Sequence, residues 1–272
     1  MAQRVEAPPL YAFPISVLGR VRRRLAAIVL APLYRIYTDR LRHEVRAQTV
    51  PHHVAVILDG NRRWASEAGL KDLSAGHRHG ADKIDDLVEW CSDLGIAEVT
   101  LWALSGENLG RESGEVDALL RVVAEKLDGL AERAARAERP IRIRVFGRFG
   151  AFPEALRGAI ERAEQQTRQN AGLRLNIALG YSGRDELVDA CRAMVRSLAE
   201  TGVPAEDIAG HVTREALAAH LYTAGRPDPD LIIRTSGELR LSGFLPWQSA
   251  HSEFYFTDVF WPAFRELDFL RA

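Results

Sequence analysis

From residue 53 onward, short apolar runs alternate with longer segments of helical periodicity, and this alternation narrows the possible folds more than any other feature. The runs at 54–58, 98–104, 141–146, 173–179, 231–234 and 254–256 predict strands. Helix-like segments near 78–94, 115–136, 153–169, 183–200 and 213–221 lie between them. Connections of that length suit crossovers between parallel strands rather than hairpins. Asp228 and Pro229 mark a turn before the fifth strand. No internal repeat or low-complexity linker interrupts the pattern. The expectation is therefore an α/β fold: a single catalytic domain, 51–272, with a central, mostly parallel six-stranded sheet flanked by helices. Residues 1–50 form an N-terminal extension.

Composition supports a buried core, because 47% of the 272 residues are apolar. The net charge of −1 gives no global attraction to nucleic acid, and no basic motif interleaved with aromatics occurs, so no nucleic-acid partner is expected. Lysine occurs only at Lys71, Lys83 and Lys126, so nearly all positive charge is arginine and a lone arginine carries little meaning. Cys91 and Cys191 lie in helical segments without disulfide or zinc spacing, as core thiols of a reducing cytosol.

In the extension, residues 1–16 are Pro-rich and aperiodic. Arg20, Arg22, Arg23, Arg24, Arg35, Arg40, Arg42 and Arg46 then face only Asp39 and Glu44. The apolar run 25–34 is shorter than the roughly 20 residues of a membrane span, and no signal-peptide cleavage site follows it. Two readings stand. Residues 17–46 are a basic amphipathic helix on an anionic membrane surface, the inner face of the plasma membrane, on an otherwise cytoplasmic protein. Alternatively, they are a helix packed on the domain with solvated arginines.

Chemistry concentrates at strand ends. The run 54–58 opens into Asp59-Gly60-Asn61-Arg62-Arg63-Trp64. A carboxylate there can hold a divalent cation, a glycine lets backbone approach phosphate closely, and arginines fork onto its oxygens. Asp59 could instead cap the next helix, and Trp64 could be simple core or a lid. Gly76-His77-Arg78-His79-Gly80 precedes a helix, where His77 could donate to a phosphate or be structural. The second strand runs into Ser105-Gly106-Glu107-Asn108-Leu109-Gly110-Arg111. Ser105 and Asn108 suit a hydrogen-bond relay but are poor bases unaided. The fifth strand runs into Arg234-Thr235-Ser236-Gly237-Glu238-Leu239-Arg240-Leu241-Ser242, a second anion site. Glu253, between His251 and an aromatic run, needs a cation or an arginine partner. Two anion sites imply two phosphorylated substrates or one long one. No Walker loop, dinucleotide fingerprint, zinc pattern or Ser-His-Asp order appears.

Together these motifs resemble the cis-prenyltransferase family, the Z-isoprenyl or undecaprenyl diphosphate synthase-like enzymes. The matching stretches are 53–65, 105–111, 176–184 and 230–256, with Thr257-Asp258-Val259-Phe260-Trp261-Pro262 following. The resemblance implies helices around an apolar tunnel, a homodimer, and Mg²⁺ as cofactor. It implies a transferase that condenses isopentenyl diphosphate with an allylic diphosphate to form a Z double bond. Asp59 would hold Mg²⁺ on the allylic diphosphate, with Glu253 as a further ligand from the same or a partner site. Gly60, Asn61, Arg62, Arg63, His77 and Arg111 would bind that diphosphate. Arg234, Arg240 and Ser242 would bind isopentenyl diphosphate, and Trp64, Ser105, Gly106, Glu107 and Leu241 complete the substrate-binding set. Asn108, with Ser105, would assist proton removal, the leaving diphosphate being the final base.

Several positions depart from the undecaprenyl pattern. Asp72-Leu73 stand where an Arg is common, Gly106 replaces Ser or Thr, Leu109 replaces Trp, and the 66–76 loop is one residue longer. These resemble the short-chain actinobacterial branch that makes Z-farnesyl-type products, whereas the small Ala103 near the tunnel keeps a polyprenyl product open. A chain that stops at Ala272, where relatives carry a basic tail, is expected to close its site or dimer more loosely. A branching, lavandulyl-type condensation and a non-catalytic scaffold are the other readings; the retained Asp59 argues against the scaffold.

Overall fold

The computed structural model describes residues 17–70, 72, 74–107, 113–136, 140–150 and 152–272, with side chains from Pro32 onward, Ser113 excepted. The chain divides into two compact units, Met1–Ala47 and Gln48–Ala272. The first contains helix α1, Val17–Arg46, which carries Pro32 internally. Leu33, Ile36 and Tyr37 are exposed on it. Arg40 pairs with Glu44 at 2.8 Å and Arg42 with Asp39 at 2.7 Å. Among the described residues no helix is long and apolar enough to cross a membrane.

The second unit is built on six strands: β1 His53–Ile57, β2 Glu98–Ser105, β3 Arg142–Phe146, β4 Arg174–Tyr181, β5 Leu231–Arg234 and β6 Glu253–Phe256. Their order is β3-β4-β2-β1-β5-β6 and every pairing is parallel, so the sheet is wholly rather than mostly parallel. Helices α2 Asn61–Glu67, α3 Ser74–Leu94, α4 Ser113–Arg136, α5 Glu154–Thr167, α6 Gly183–Glu200, α7 Arg214–Ala218 and α8 Glu266–Arg271 connect and follow the strands. The predicted elements lie within a few residues of these bounds. The helix after Asp59 was foreseen only as a segment that Asp59 could cap, without bounds, and α8 was not foreseen, because six or seven residues give too few turns to show a period.

Strand alternation builds two apolar layers. Val54, Val56, Val99 and Leu101 face one cluster with Leu87 of α3, Leu127 of α4 and Ile160 of α5. Ala55, Ile57 and Ile232 face the other, with Tyr181, Phe244 and Leu245. The amino-terminal strand ends are tied by a polar network. Fully buried Glu98 accepts from Asn176 at 2.7 Å and from Arg226 Nε at 3.0 Å. His53 Nε2 meets Thr100 Oγ1 at 2.8 Å. A buried carboxylate is tolerable only when paired in this way.

Candidate active site

Sheet order explains why three distant motifs form one site. In the middle of the sheet β2, β1 and β5 are neighbours, so the residues that follow them share one edge. That edge, at the carboxyl ends of parallel strands, is where open α/β sheets bind ligands. A cavity of about 570 Å³ lies there, lined by Asp59, Gly60, Asn61, Arg62, Arg63, Ser66, His77, Trp102, Ala103, Ser105, Glu107, Arg234 and Ser242 among others.

Asp59 is held by its backbone on both sides. Its N–H donates to Thr235 Oγ1 at 3.0 Å, and its carbonyl accepts from Thr235 Oγ1 at 2.7 Å and from the Trp261 N–H at 3.0 Å. The carboxylate is thereby aimed at the cavity mouth. Its Oδ1 accepts from the Gly60 N–H at 2.7 Å, and its Oδ2 from Arg234 Nη2 at 2.9 Å. Partial burial alone would raise this carboxyl, but hydrogen bonds from Arg234, Ser236 and Gly60 and the Arg234 charge outweigh it and hold it below the ordinary range. Asp59 is therefore ionised at neutral pH. Gly60 is needed because its φ is +98°, and an added Cβ would sit 2.6 Å from Phe260 Cδ1.

Beside Asp59, α2 presents two arginines. Arg63 Nη2 donates to Ser236 Oγ at 2.6 Å, and its guanidinium lies 5.5 Å from the Phe260 ring centre. Arg62 Nε is 3.4 Å from Glu115 Oε1 on α4. On the other side, buried Arg234 donates to Asp59, to Ser242 Oγ at 2.9 Å and to the Arg240 carbonyl, while its Nε is buried without a hydrogen-bond partner. Ser236 (φ 79°) and Ser242 (φ 51°) both adopt the left-handed region, a strained backbone that serine accepts poorly.

α2 docks on α3 through glycine. Gly76 and Gly80 stand one turn apart, and added Cβ atoms would come within 2.1 Å of the Asn61 carbonyl oxygen and Oδ1 respectively. The Gly-His-Arg-His-Gly motif therefore serves the packing of Asn61 as well as presenting His77. Asn61 Nδ2 donates to the Leu58 carbonyl at 3.0 Å, and Oδ1 is buried without a hydrogen-bond partner. Trp261 Nε1 reaches the Gly80 carbonyl at 2.7 Å, linking α3 to the Asp59 loop.

A second, apolar cleft of about 50 Å³ adjoins the first, sharing Leu58, Asn61, His77, Ala103 and Leu119 with it. Ala103 is the extra residue of a β2 bulge, between the pairs Trp102↔Ala178 and Leu104↔Leu179. Bulges beside active sites re-aim side chains.

Other predicted residues lie elsewhere. Trp64 is not in the cavity wall; it stacks on His79, ring centres 4.8 Å apart. Arg240 contributes its carbonyl to Arg234 while its guanidinium turns to Glu238. Gly106 and Leu241 also lie outside the lining, and Leu241 packs on the second apolar cluster. Glu253 begins β6, level with Leu231 and thus roughly 10 Å along the strands from the Arg234 end. One chain does not bring it to Asp59. Asn108 and Arg111 lie outside the described residues. Among the described residues no group of three His, Cys, Asp or Glu gathers for a metal. Thr235, Ser236, Ser66 and Trp102 were not foreseen as site residues. Thr235 and Ser236 sat inside a motif read for its arginines.

Residues 57–272 match the family model described as "Putative undecaprenyl diphosphate synthase". An isoprenyl transferase of Thermus thermophilus is 48% identical over 93% of this chain and 95% of its own length. A (2Z,6E)-farnesyl diphosphate synthase of Thermobifida fusca is 46% identical, covering 89% and 92%. The crystal structure of lavandulyl diphosphate synthase from Lavandula x intermedia, in complex with dimethylallyl diphosphate, superposes with a TM-score of 0.76 at 35% identity, covering 84% of this chain and 94% of that one. The chain belongs to the cis-prenyltransferase family, enzymes of the undecaprenyl diphosphate synthase type that transfer prenyl groups.

Proposed function

We propose that the protein condenses isopentenyl diphosphate with an allylic prenyl diphosphate, with Mg²⁺ as cofactor, to give a short Z-prenyl diphosphate. One observation carries this reading: cationic groups flank Asp59 on two sides of a cavity that continues into an apolar cleft. Asn61 and His77 line both the cavity and the cleft and, with Arg62 and Arg63 of the same α2 turn at the cavity mouth, suit the allylic diphosphate. Arg234 and Ser242 stand on the other side of Asp59 and suit isopentenyl diphosphate.

Mg²⁺ suits the donor chemistry, because it is commonly held by one or two carboxylates with substrate phosphates and water completing its shell. Asp59 is an ionised oxygen donor at the mouth, so a single acid suffices in that mode. When bound, the ion would neutralise charge on the departing diphosphate. Without substrate, the Asp59 charge is taken up by Arg234. Binding of a second diphosphate would draw Arg234 toward the anion and loosen its hold on the carboxylate, which Arg63 also faces at 3.5 Å, so the two subsites are coupled through Asp59. The arginines stabilise developing negative charge in a partly enclosed site. Apolar walls at Leu58, Ala103 and Leu119 shield the allylic cation from water. Ser105, with Asn108, is assigned to proton removal, the released diphosphate taking the proton.

A short product is supported by the small volume of the apolar cleft and by similarity to proteins named (2Z,6E)-farnesyl diphosphate synthase. A branching condensation is the second reading, favoured by the likeness to lavandulyl diphosphate synthase; turnover of dimethylallyl diphosphate alone would reveal it. Peripheral contact with an anionic membrane through α1 is supported by exposed Leu33, Ile36 and Tyr37 beside Arg35 and Arg40. Homodimer formation is supported by the stacked Phe254 and Phe256 on edge strand β6, and would leave Glu253 to serve a neighbouring site.

Subsite assignment is tested by steady-state kinetics. Arg234→Ala should raise KM for isopentenyl diphosphate about 10- to 100-fold, as loss of a charged hydrogen-bonding group implies. Arg63→Ala should act mainly on the allylic substrate. Equal effects of both variants on both substrates would contradict two separate subsites.

A further inference from the structure

The apolar cleft has a charged residue in its wall that the chemistry described so far does not use. Its walls run along α3 from His77 to Ile84 and along α4 from Leu119 to Lys126 and Leu127. His77 and Leu119 also line the mouth, whereas Ile84 and Lys126 line only the cleft. Seven residues of helix separate each pair, so the cleft extends roughly 10 Å beyond the neck. Its volume of about 50 Å³ holds only a few water-sized bodies.

Lys126 is an unusual wall for such a space. Its side chain is only 10% exposed, and its Nζ lies 2.7 Å from Asp85 Oδ1 on α3. Arg133, a further two turns along α4, reaches the same oxygen at 2.5 Å. Burial pushes the Lys126 ammonium below its ordinary range, and Asp85 opposes that shift. A lysine in this position lays its methylene stem along apolar surface while its charge reaches the rim. The Asp85 pair then ties α4 to α3 across the far end of the cleft.

We propose that Lys126, latched to Asp85, closes the far end of the prenyl cleft and sets the longest chain the enzyme makes. Its stem occupies the volume that the next isoprene unit would need. Its latch keeps α3 and α4 from parting to let that unit through. This rests on the condensation proposed above, and a product assay separates the two.

Labelled isopentenyl diphosphate and a short allylic primer are given to wild type, Lys126→Ala and Asp85→Ala, with Mg²⁺, and the dephosphorylated products are sized. Wild type should give one short product. Lys126→Ala should extend the main product by one or more isoprene units, with the first condensation retained. In that variant Asp85 keeps Arg133, so no carboxylate is stranded. Asp85→Ala keeps the stem and the core and should broaden the product range upward. If Lys126→Ala does not fold, Asp85→Ala decides alone. Unchanged product lengths in active, folded variants overturn the inference, as does a wild type that already makes long polyprenyl chains. No incorporation by wild type with any primer overturns the condensation itself.

Discussion

Gly80→Ala separates helix propensity from active-site packing. Gly80 lies inside α3, where alanine is favoured by about 0.8–1.0 kcal/mol over glycine. Propensity alone therefore predicts a stabilised protein. Packing predicts the opposite, because the added methyl would lie 2.1 Å from Asn61 Oδ1 and 2.9 Å from Trp261 Cδ1. The Asn61 amide cannot simply turn aside: its Nδ2 is bonded to the Leu58 carbonyl and its Oδ1 is buried. It must retreat by more than an ångström to reach ordinary contact. Overpacking of this kind costs about 1–3 kcal/mol, so the net change is a loss of roughly 0–2 kcal/mol. In a protein of this size that lowers Tm by at most about 8 °C. Activity should suffer more, since a 1 Å displacement in a positioning group costs on the order of 100-fold, or about 2.7 kcal/mol in kcat/KM. Thermal unfolding and steady-state kinetics of the purified variant measure both. A variant with raised Tm and kcat/KM within about threefold of wild type would refute the packing of Asn61 on Gly80 as a determinant of the site.

Three further outcomes are expected. Gly183→Ala places a methyl 2.1 Å from Pro246 Cδ and 2.5 Å from the Gly243 carbonyl. It should displace the loop bearing Ser242, raise KM for isopentenyl diphosphate and cost about 1–3 kcal/mol in denaturant unfolding; an unchanged KM would contradict it. His53 is driven below its ordinary range by burial, which its carbonyl and carboxylate neighbours only partly offset. The unfolded chain therefore takes up the proton first, so stability rises with pH in that window and is lost as pH falls from about 6.5. His53→Gln should flatten the dependence of Tm on pH between about 7 and 5.5, and an unaltered slope would dismiss this residue as its source. Deleting residues 1–47 should abolish flotation with anionic liposomes and spare catalysis; unchanged flotation would remove α1 as the contact.

Much of the framework was legible in the sequence because buried parallel strands read as continuous apolar runs. Leu231-Ile232-Ile233-Arg234 matches β5 residue for residue. The carboxyl-end residues Asp59, Ser105 and Arg234 stood out together, because helix capping or surface pairing can explain one polar strand end but is a poor joint explanation of three. Their convergence was not readable, since it depends on β2, β1 and β5 being neighbours, and sheet order is a tertiary property. Trp64 stood next to the arginines in sequence, but the helical turn of α2 points it to His79 instead. Glu253 was expected as a further Mg²⁺ ligand from the same or a partner site, and within one chain the strand register puts it at the opposite end of the sheet from Asp59. In Gly76-His77-Arg78-His79-Gly80 the histidines drew attention, while the close approach that requires the glycines is visible only once Asn61 is seen against them. Lys126 gave no signal, because one lysine among helical polar residues is ordinarily solvated.

The central proposition is transfer of isopentenyl diphosphate to an allylic diphosphate at Asp59. It is tested most directly by incubating the protein with labelled isopentenyl diphosphate and, separately, dimethylallyl, geranyl and E,E-farnesyl diphosphate. Each reaction is run with Mg²⁺, with EDTA, and with Asp59→Ala in place of wild type. Incorporation into a short Z-product with at least one primer, abolished by EDTA and reduced by orders of magnitude in a folded Asp59→Ala protein, is the predicted result. Metal-independent incorporation, or an Asp59→Ala variant with near-normal turnover, would contradict it.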